Sequence, residues 1–322
     1  MPDALRPDIH SDPPGNQGAV QHHQSRVARM PDPNQLPHLI KLLDDESPTV
    51  RNTVLNELAA FGGALEHELL RLKIMLGPHQ MRTLQSLLRE HNSKWLKEAW
   101  PMWFGMENDN EKLEKALSLI AEYQNGRLYH VELKDLLDDL AHEFTSSQRP
   151  TNARELSNFL FRTKPLQGAH SDYYNPCNSN LVYVIERKRG IPISLVCIYI
   201  LVGYRLGLAI AGCNFPGHFL ALISENKKQM IVDCFDGGRF LEDADLAHLN
   251  APLPLTTRDL AQLRCGAVII VARVLRNLIN AYQFMIQQVQ KDAEQEHYET
   301  KLKLIRDLLG LLEADAPRRQ GR

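Results

Sequence analysis

The sequence feature that most constrains the fold is a long apolar run over residues 191–203. Pro192 suits the first turn of a helix there, because the N–H that proline lacks would have no helical partner at that position. The side chains that follow are apolar on every face, which is typical of a helix buried inside a domain. The run is shorter than the ~20 residues that span a membrane, and Tyr204 and Arg205 interrupt it. The sequence therefore predicts a buried central helix and no membrane partner.

Two short strands are predicted after this helix. Residues 214–220 and 230–238 combine apolar and β-branched side chains with turn residues, and a polar turn separates them. The first segment carries His218 and the second carries Asp233. A buried helix, a strand with an imidazole and a strand with a carboxylate are therefore expected to form one unit.

The composition excludes some classes of partner. Lys and Arg number 37 against 39 for Asp and Glu, so no strong positive field favours nucleic acid. The five cysteines show no C-x-x-C spacing and are expected to be reduced and mostly buried. The first residues show no basic-then-apolar signal pattern, so the expected localisation is cytoplasmic.

The first 33 residues differ from the rest of the chain. Residues 1–33 are rich in Pro, Gly, Asp, Gln and His and contain few large apolar side chains, so we expect a disordered arm. His22 and His23, with His10 nearby, raise the question of a metal site. Two adjacent imidazoles without a second fixed pair of ligands are more typical of a polar tail. Neither a metal nor a cofactor is expected.

Residues 34–105 are predicted to be helical. Apolar residues recur at helical spacing from Leu36, and Ser47 followed by Pro48 is typical of the start of a second helix. The pair resembles one HEAT-type repeat in its order L-P-H-L-I-K-L-L-D-D-E-S-P-T-V-R. A single helical pair cannot bury its own apolar face, so it is expected to dock on the helices that follow.

Aromatic residues close this helical region. They are Trp95, Trp100, Trp103 and Phe104. A platform for stacked bases would need a groove of basic residues, which this stretch lacks. The aromatic residues are therefore expected to belong to the core or to a domain interface.

The order of the central helix, His218 and Asp233 is typical of a nucleophile, a general base and an orienting acid. It resembles the transglutaminase-like superfamily of papain-type proteins, whose pattern is a basic-Gly-x-Cys helix start, then Leu-Gly, His and Asp. The resemblance places the family's cysteine on Pro192, which carries no nucleophile. Ser194 is the one nearby group that could attack a substrate. Cys197 lies about one turn deeper, where burial favours an inert thiol.

Several motifs more narrowly resemble the SirB-type branch of that superfamily, which is often described as regulatory. The shared motifs lie at residues 173–179, 189–195, 206–208, 215–220 and 233–238. The resemblance covers residues 108–286. It implies an α+β fold, in which a papain/transglutaminase-like core packs a central buried helix on a small antiparallel sheet, with a mainly helical N-terminal domain and C-terminal helices.

The expected organisation of the chain has four parts. These are a disordered arm (1–33), a HEAT-like helical region (34–105), the core with its preceding helices (106–265), and C-terminal helices with a frayed tail (266–322). In the family the core is commonly followed by tetratricopeptide-like helices. The last part has room for one such pair.

The sequence is compatible with two functional interpretations. The first is a non-catalytic, regulatory scaffold that binds a protein partner, because the expected thiol is absent. The alternative is a hydrolase or acyltransferase in which Ser194 is the nucleophile, His218 the general base and Asp233 the orienting acid, with Asp236 as the alternative acid. A third reading of the His218–Asp233 pair is that it serves structure alone.

Two further residues are candidates for binding. Asn178 belongs to one of the shared motifs. Arg189 precedes the central helix, where its side chain could meet an anion or lie in a solvated loop. A metal site formed by His218 with Cys213 or Cys234 is not expected, because three or four converging ligands are needed.

Overall fold

The computed structural model describes residues 32–61, 64–126, 129, 131–215, 217–225, 228–246, 259, 262–290 and 292–320. The predicted arm lies outside these ranges up to residue 31, and so do His10, His22 and His23. Within the described ranges the architecture is α+β, as predicted, with an antiparallel sheet packed against a mainly helical body.

The helices of the described ranges follow the apolar periodicity of the sequence. They are α1 (Leu36–Leu42), α2 (Pro48–Ala60), α3 (Ala64–Arg71), α4 (Pro78–Ala99), α5 (Asp109–Asn125), α6 (Leu133–Ser146), α7 (Ala153–Asn158), α8 (Leu181–Arg187), α9 (Pro192–Arg205), α10 (Asp243–Leu246), α11 (Ala267–Gln288) and α12 (Asp292–Gln320). Side-chain caps mark several starts: the Asn108 and Asn152 side chains accept hydrogen bonds from the first turns of α5 and α7. A π-helical turn, Phe159–Thr163, follows α7.

The strands form two sheets. They are β1 (Gln167–Gly168), β2 (Arg189–Gly190), β3 (Ile210–Cys213), β4 (Leu220–Glu225), β5 (Lys228–Asp233), β6 (Arg239–Leu241) and β7 (Arg264–Cys265). The main sheet has the order β6-β5-β4-β3-β7, and all its pairs are antiparallel. β1 and β2 form a short parallel pair beside the start of α9.

Helix α9 is the centre of the main core, as its apolar sequence predicts. Residues 193–202 are at most 3 % exposed, and the helix begins with Pro192 in its first turn. The Tyr199 hydroxyl donates a hydrogen bond of 2.6 Å to the Ala153 carbonyl, which ties α9 to the start of α7. At Gly203 an added Cβ would lie 2.6 Å from Ile210 Cδ1, so a larger residue there would force the Ile210 side chain of β3 to shift.

The N-terminal helices have a separate small core. Buried leucines from α1, α2, α3 and the first half of α4 pack together, while Leu96 at the end of α4 joins the main core. Trp100 and Trp103 are fully buried there in an edge-to-face pair with ring centroids 5.6 Å apart. The prediction that these tryptophans belong to the core is confirmed.

The local geometry differs from the sequence prediction at two places. His218 lies in a bend just before β4 and not within a strand, whereas Asp233 is the last residue of β5. The basic segment before α9 is not only a loop, because Arg189 and Gly190 pair with Gln167 and Gly168 as β2 and β1. Such pairing joins residues far apart in sequence, which local patterns do not reveal. In the described part of the chain, no helix is both long and apolar enough to cross a membrane.

Candidate functional site around His218 and Asp233

His218 and Asp233 are brought together by the antiparallel pairing of β4 with β5. Ala221 pairs with Val232, so the bend before β4 lies beside the carboxyl end of β5. His218 Nε2 is 2.8 Å from Asp233 Oδ2. The imidazole is one fifth exposed (22 %), whereas the carboxylate is nearly buried. The two candidate residues therefore form a hydrogen-bonded pair at the edge of the core.

The Asp233 carboxylate is oriented by the turn that follows β5. Its Oδ1 accepts hydrogen bonds from the backbone N–H groups of Phe235 (2.9 Å) and Asp236 (3.1 Å). Burial opposes ionisation of Asp233, but the hydrogen bond and charge of His218 and the two N–H groups outweigh it, so the pKa of Asp233 is lowered. Asp233 is thus held ionised, and its Oδ2 fixes the orientation of the His218 ring through their hydrogen bond.

Asp236, the alternative acid, is directed elsewhere. Its Oδ2 accepts a hydrogen bond of 2.9 Å from Arg239 Nε, and its side chain is 63 % exposed. Asp233 is the carboxylate that bonds to His218.

Ser194 lies in the first turn of α9 and is 1 % exposed. Its Oγ donates a hydrogen bond of 2.6 Å to the carbonyl oxygen of Asn178. Among the described residues, no hydrogen bond joins Ser194 to His218. The serine hydroxyl is therefore used to bind α9 to the segment before α8.

The thiols are poor nucleophiles in this fold. Burial raises the pKa of Cys197, which is fully buried in α9 next to Cys265. Burial also raises the pKa of Cys177, although Lys301 opposes the shift. Of the five cysteines, all free, only Cys177 is partly exposed. Among the described residues, no three His, Cys, Asp or Glu side chains are grouped to hold a metal ion.

The two predicted binding residues lie in different environments. Asn178 is buried, and its Nδ2 donates to the carbonyl oxygens of Asp172 (2.5 Å) and Tyr173 (3.4 Å). Through these two hydrogen bonds, the buried Asn178 side chain stabilises the backbone of the preceding loop. Arg189 is exposed at the start of the short β2 strand.

A continuous aromatic surface extends from His218 across this loop. We define it as His170, Tyr173, Tyr174, Phe235 and Phe284. Phe235 lies between His218 and His170, with ring centroids 6.3 and 4.4 Å away. The contacts continue from Phe235 to Tyr173 (6.3 Å), from Tyr173 to Tyr174 (5.4 Å), and from Tyr174 to Phe284 (4.8 Å, stacked). Tyr173, Tyr174 and Phe284 are each at least 38 % exposed.

Arg273 supports the segment that leads to His218. Its Nη1 donates to Asn214 Oδ1 (2.6 Å) and to the carbonyl oxygen of Phe215 (2.9 Å), and its guanidinium lies 5.2 Å from the Phe219 ring centroid. Burial lowers the pKa of Arg273.

Three residues of this region were not predicted from the sequence, because they come from segments far from the motifs. They are Arg273, His170 and Phe284. Phe235 lies inside the 233–238 motif, so the motif could have indicated it as a functional residue.

Comparison with known proteins identifies a matching domain family and related proteins. A family model described as transglutaminase-like superfamily matches residues 127–276. A UPF0162 protein of Xylella fastidiosa (strain 9a5c) is 34 % identical over 197 residues, which is 56 % of this chain and 70 % of the relative. A UPF0162 protein of Vibrio cholerae is 26 % identical over 113 residues, 34 % of this chain and 41 % of the relative.

A shorter similarity extends to a eukaryotic protein. Human F-box only protein 21 is 34 % identical over 77 residues, 24 % of this chain and 12 % of that protein. No solved structure matches the chain. The identity and coverage of the Xylella relative show that the chain belongs to the UPF0162 protein family and carries a transglutaminase-like superfamily domain.

Proposed function

We propose that this protein is a non-catalytic, transglutaminase-like scaffold that binds a protein partner through the aromatic surface beside His218. The observation that carries the proposal is the hydrogen bond from Ser194 Oγ to the Asn178 carbonyl. The residue at the nucleophile end of α9 is thereby linked, through Asn178, to the backbone of the loop that presents Tyr173 and Tyr174. The first turn of α9, which carries the nucleophile in the catalytic pattern, would then support the aromatic surface.

The surroundings of the helix start support the absence of acyl-transfer chemistry. Pro192 offers no nucleophile, and Ser194 is buried with its proton already donated to a carbonyl. A general base must lie within hydrogen-bond reach of the proton that it removes. His218 instead has Asp233 as its partner.

The exposed aromatic side chains support binding to a protein. Tyrosine and phenylalanine are enriched in the centres of protein interfaces, because they bury large areas at low cost in side-chain entropy. Tyr174 and Phe284 stack on each other while remaining partly exposed, so they form a firm apolar contact before any partner arrives.

The proposal also includes a regulatory role, a cytoplasmic location and a function for the flanking helical pairs. A SirB-type, regulatory role in the cytoplasm fits a scaffold in which the first turn of α9 offers Pro192 and a hydrogen-bonded Ser194. The HEAT-like pair α1–α2 and the antiparallel pair α11–α12, read as tetratricopeptide-like, would extend the binding platform. The catalytic alternative with Ser194, His218 and Asp233 makes the opposite prediction about turnover.

The test is site-specific photo-crosslinking in the native host. A photoreactive phenylalanine analogue replaces Tyr174, and in a matched control it replaces Tyr204, a tyrosine of similar exposure on α9. We expect one discrete protein adduct at position 174, none at 204, and a several-fold weaker adduct when Phe284→Ala removes the stacked ring. Equal adducts at both positions would contradict the proposed surface.

A second measurement addresses the catalytic alternative. Purified protein is incubated with a fluorophosphonate probe and with ester and amide substrates. We expect no labelling of Ser194 and no turnover. A measurable hydrolysis that both Ser194→Ala and His218→Ala abolish would overturn the non-catalytic proposal.

A further inference from the structure

We propose that a cavity between α4, the end of α5 and α12 binds a small phosphate ester that carries hydroxyl groups. The cavity has a volume of about 240 Å³. The residues that matter for the argument are Arg82, Arg89, Asn92, Gln124, His297 and Lys301, all of which line it. None of them belongs to the His218–Asp233 site or to the aromatic surface.

The cavity carries a concentrated positive charge. Arg82, Arg89 and Lys301 contribute three cations, and the described residues that line the cavity include no carboxylate. Within the described ranges, no ion pair joins any of these three side chains to an acidic residue. Burial and the nearby charge of Arg89 both act against the protonated form of Lys301, so an anion placed between them would be strongly favoured. Arginine and lysine together are the usual partners of phosphate groups.

The same cavity contains buried polar atoms without hydrogen-bond partners. They are Asn92 Oδ1, Gln124 Oε1 and His297 Nδ1. Asn92 is only 6 % exposed, which makes an unpartnered amide oxygen unusual in a folded protein. The orientation of Gln124 is fixed, because its Nε2 donates to the Pro176 carbonyl (3.1 Å) and to the Tyr282 hydroxyl (3.4 Å). Its Oε1 is therefore an acceptor that needs a donor.

These two sets of groups define the chemistry of the ligand. The cations require a negative group, and the two amide oxygens require hydrogen-bond donors. Inorganic phosphate supplies charge but few donors, whereas a phosphorylated polyol supplies both. The volume lies below the ~300 Å³ at which sites for drug-sized ligands begin, so a ligand of triose-phosphate size fits best.

A purely structural role for the cations makes a different prediction. Positive side chains near the carbonyl end of α5 would stabilise that helix end without any ligand. In that case, Arg89 and Lys301 would contribute to the stability of the free protein, and phosphate esters would not bind. The experiment must therefore measure binding and ligand-free stability separately.

Isothermal titration calorimetry of the full chain at low ionic strength provides the binding measurement. The three probes are glycerol 3-phosphate, inorganic phosphate and glycerol. We expect saturable binding of glycerol 3-phosphate, at least about tenfold weaker binding of inorganic phosphate, and none of glycerol. Arg89→Gln and Lys301→Met are expected to weaken glycerol 3-phosphate binding by about 10- to 100-fold, as for loss of a charged hydrogen bond.

Two variants serve as controls. Arg276→Gln removes an exposed arginine of α11 that pairs with Glu313 and should leave binding unchanged. Asn92→Leu should abolish the preference for glycerol 3-phosphate over phosphate and leave the ligand-free melting temperature equal or higher, because it removes an unpartnered amide. If Arg89→Gln does not fold, Arg82→Gln, at the exposed side of the cavity, replaces it.

Three results would overturn the proposal. The first is the absence of saturable binding by either phosphate compound. The second is equal weakening by Arg276→Gln and Arg89→Gln, which would indicate non-specific charge. The third is equal affinity for glycerol 3-phosphate and inorganic phosphate, which would remove the role of the amide oxygens.

Discussion

The Ser194 hydroxyl donates a 2.6 Å hydrogen bond to the carbonyl oxygen of Asn178, and both residues are nearly inaccessible to solvent. This contact joins the first turn of the central helix to the segment that holds the aromatic loop in place. Ser194 is the residue near the expected nucleophile position that carries a hydroxyl. Because this hydroxyl is hydrogen-bonded to Asn178, it stabilises the packing of α9 against the segment before α8.

Ser194→Ala should therefore lower stability and not an enzymatic rate. Removing the hydroxyl leaves the Asn178 carbonyl buried without its donor, which costs about 1–3 kcal/mol. We expect a loss of this size in the free energy of unfolding, measured by urea denaturation. Ser146→Ala, at an exposed position of α6, is the control and should be nearly neutral. An unchanged midpoint for Ser194→Ala would contradict the structural role.

The Asp233 carboxylate should make stability depend on pH in acid. Its pKa in the folded protein is lowered, because His218 and two backbone N–H groups outweigh burial, whereas an unfolded aspartate titrates near ~3.9. The unfolded state therefore binds more protons in acid. The stabilisation is fully present above that unfolded value and is lost as pH falls through the folded-state pKa.

Urea denaturation between pH 7 and pH 3 tests this expectation. Asp233→Asn should be less stable than the wild type by about 1–3 kcal/mol at pH 7, and the difference should shrink toward pH 3. Asp135→Asn, at an exposed position of α6, should follow the wild-type profile. A difference that is constant across this range would exclude a titrating Asp233.

Arg205 should anchor the C-terminal end of α9 to α5 and α6. Its Nη1 and Nη2 donate to both Glu114 carboxylate oxygens at 2.8 and 3.0 Å, and its Nε donates to Asp138 Oδ1 at 2.6 Å. The side chain is only 14 % exposed. Arg205→Ala should cost about 1–3 kcal/mol, and Arg205→Lys should recover only part of it, because lysine cannot form the two-pronged contact.

The control for Arg205 is the exposed pair between Lys134 and Asp138. Lys134→Ala should leave the urea midpoint unchanged within error, because solvent screens such a pair. Equal effects of Arg205→Ala and Lys134→Ala would show that the Arg205 contacts add no stability.

Two glycines with positive φ should respond very differently to alanine. At Gly238 (φ +72°) an added Cβ would lie 2.3 Å from Ser157 Oγ and 2.4 Å from Phe161 Cδ2, whereas at Gly207 (φ +71°) the space is open. Gly207→Ala should cost only the left-handed backbone strain of about 1–2 kcal/mol. Gly238→Ala adds a steric conflict of about 1–3 kcal/mol or more. Thermal denaturation of both variants checks the order, and a reversed order would contradict the packing at Gly238.

The native protein should expose one slowly reacting thiol. Cys177 is partly exposed, and burial raises its pKa, so its thiolate fraction at neutral pH is small. The other thiols are buried, and burial raises the pKa of Cys213 to about 12 and that of Cys265 to about 11. With Ellman's reagent we expect one slow reaction that accelerates with pH and is absent in Cys177→Ser. Rapid titration of several thiols before unfolding would be inconsistent with this fold.

Local sequence patterns predicted much of the helical framework. The apolar run of α9, with proline at its start, predicted both the position of the helix and its burial, because these depend on side chains within a few turns. The same holds for the C-terminal helices α11 and α12, which lie within the predicted range 266–322. The motif order also predicted that His218 and Asp233 share one unit. Periodicity and turn chemistry are short-range properties, so a single chain segment contains the information.

Tertiary structure alone decided how these elements are used. The bend at His218, the β1–β2 pair and the partner of the Ser194 hydroxyl all depend on contacts between segments that are distant in the sequence. His170 contacts Phe235 and Phe284 contacts Tyr174 through packing between segments that are far apart in the sequence. The amino-acid sequence by itself thus determined a buried helix followed by an imidazole and a carboxylate. The fold determined that the serine binds a carbonyl and the imidazole binds the carboxylate, because hydrogen-bond partners are chosen by geometry in three dimensions.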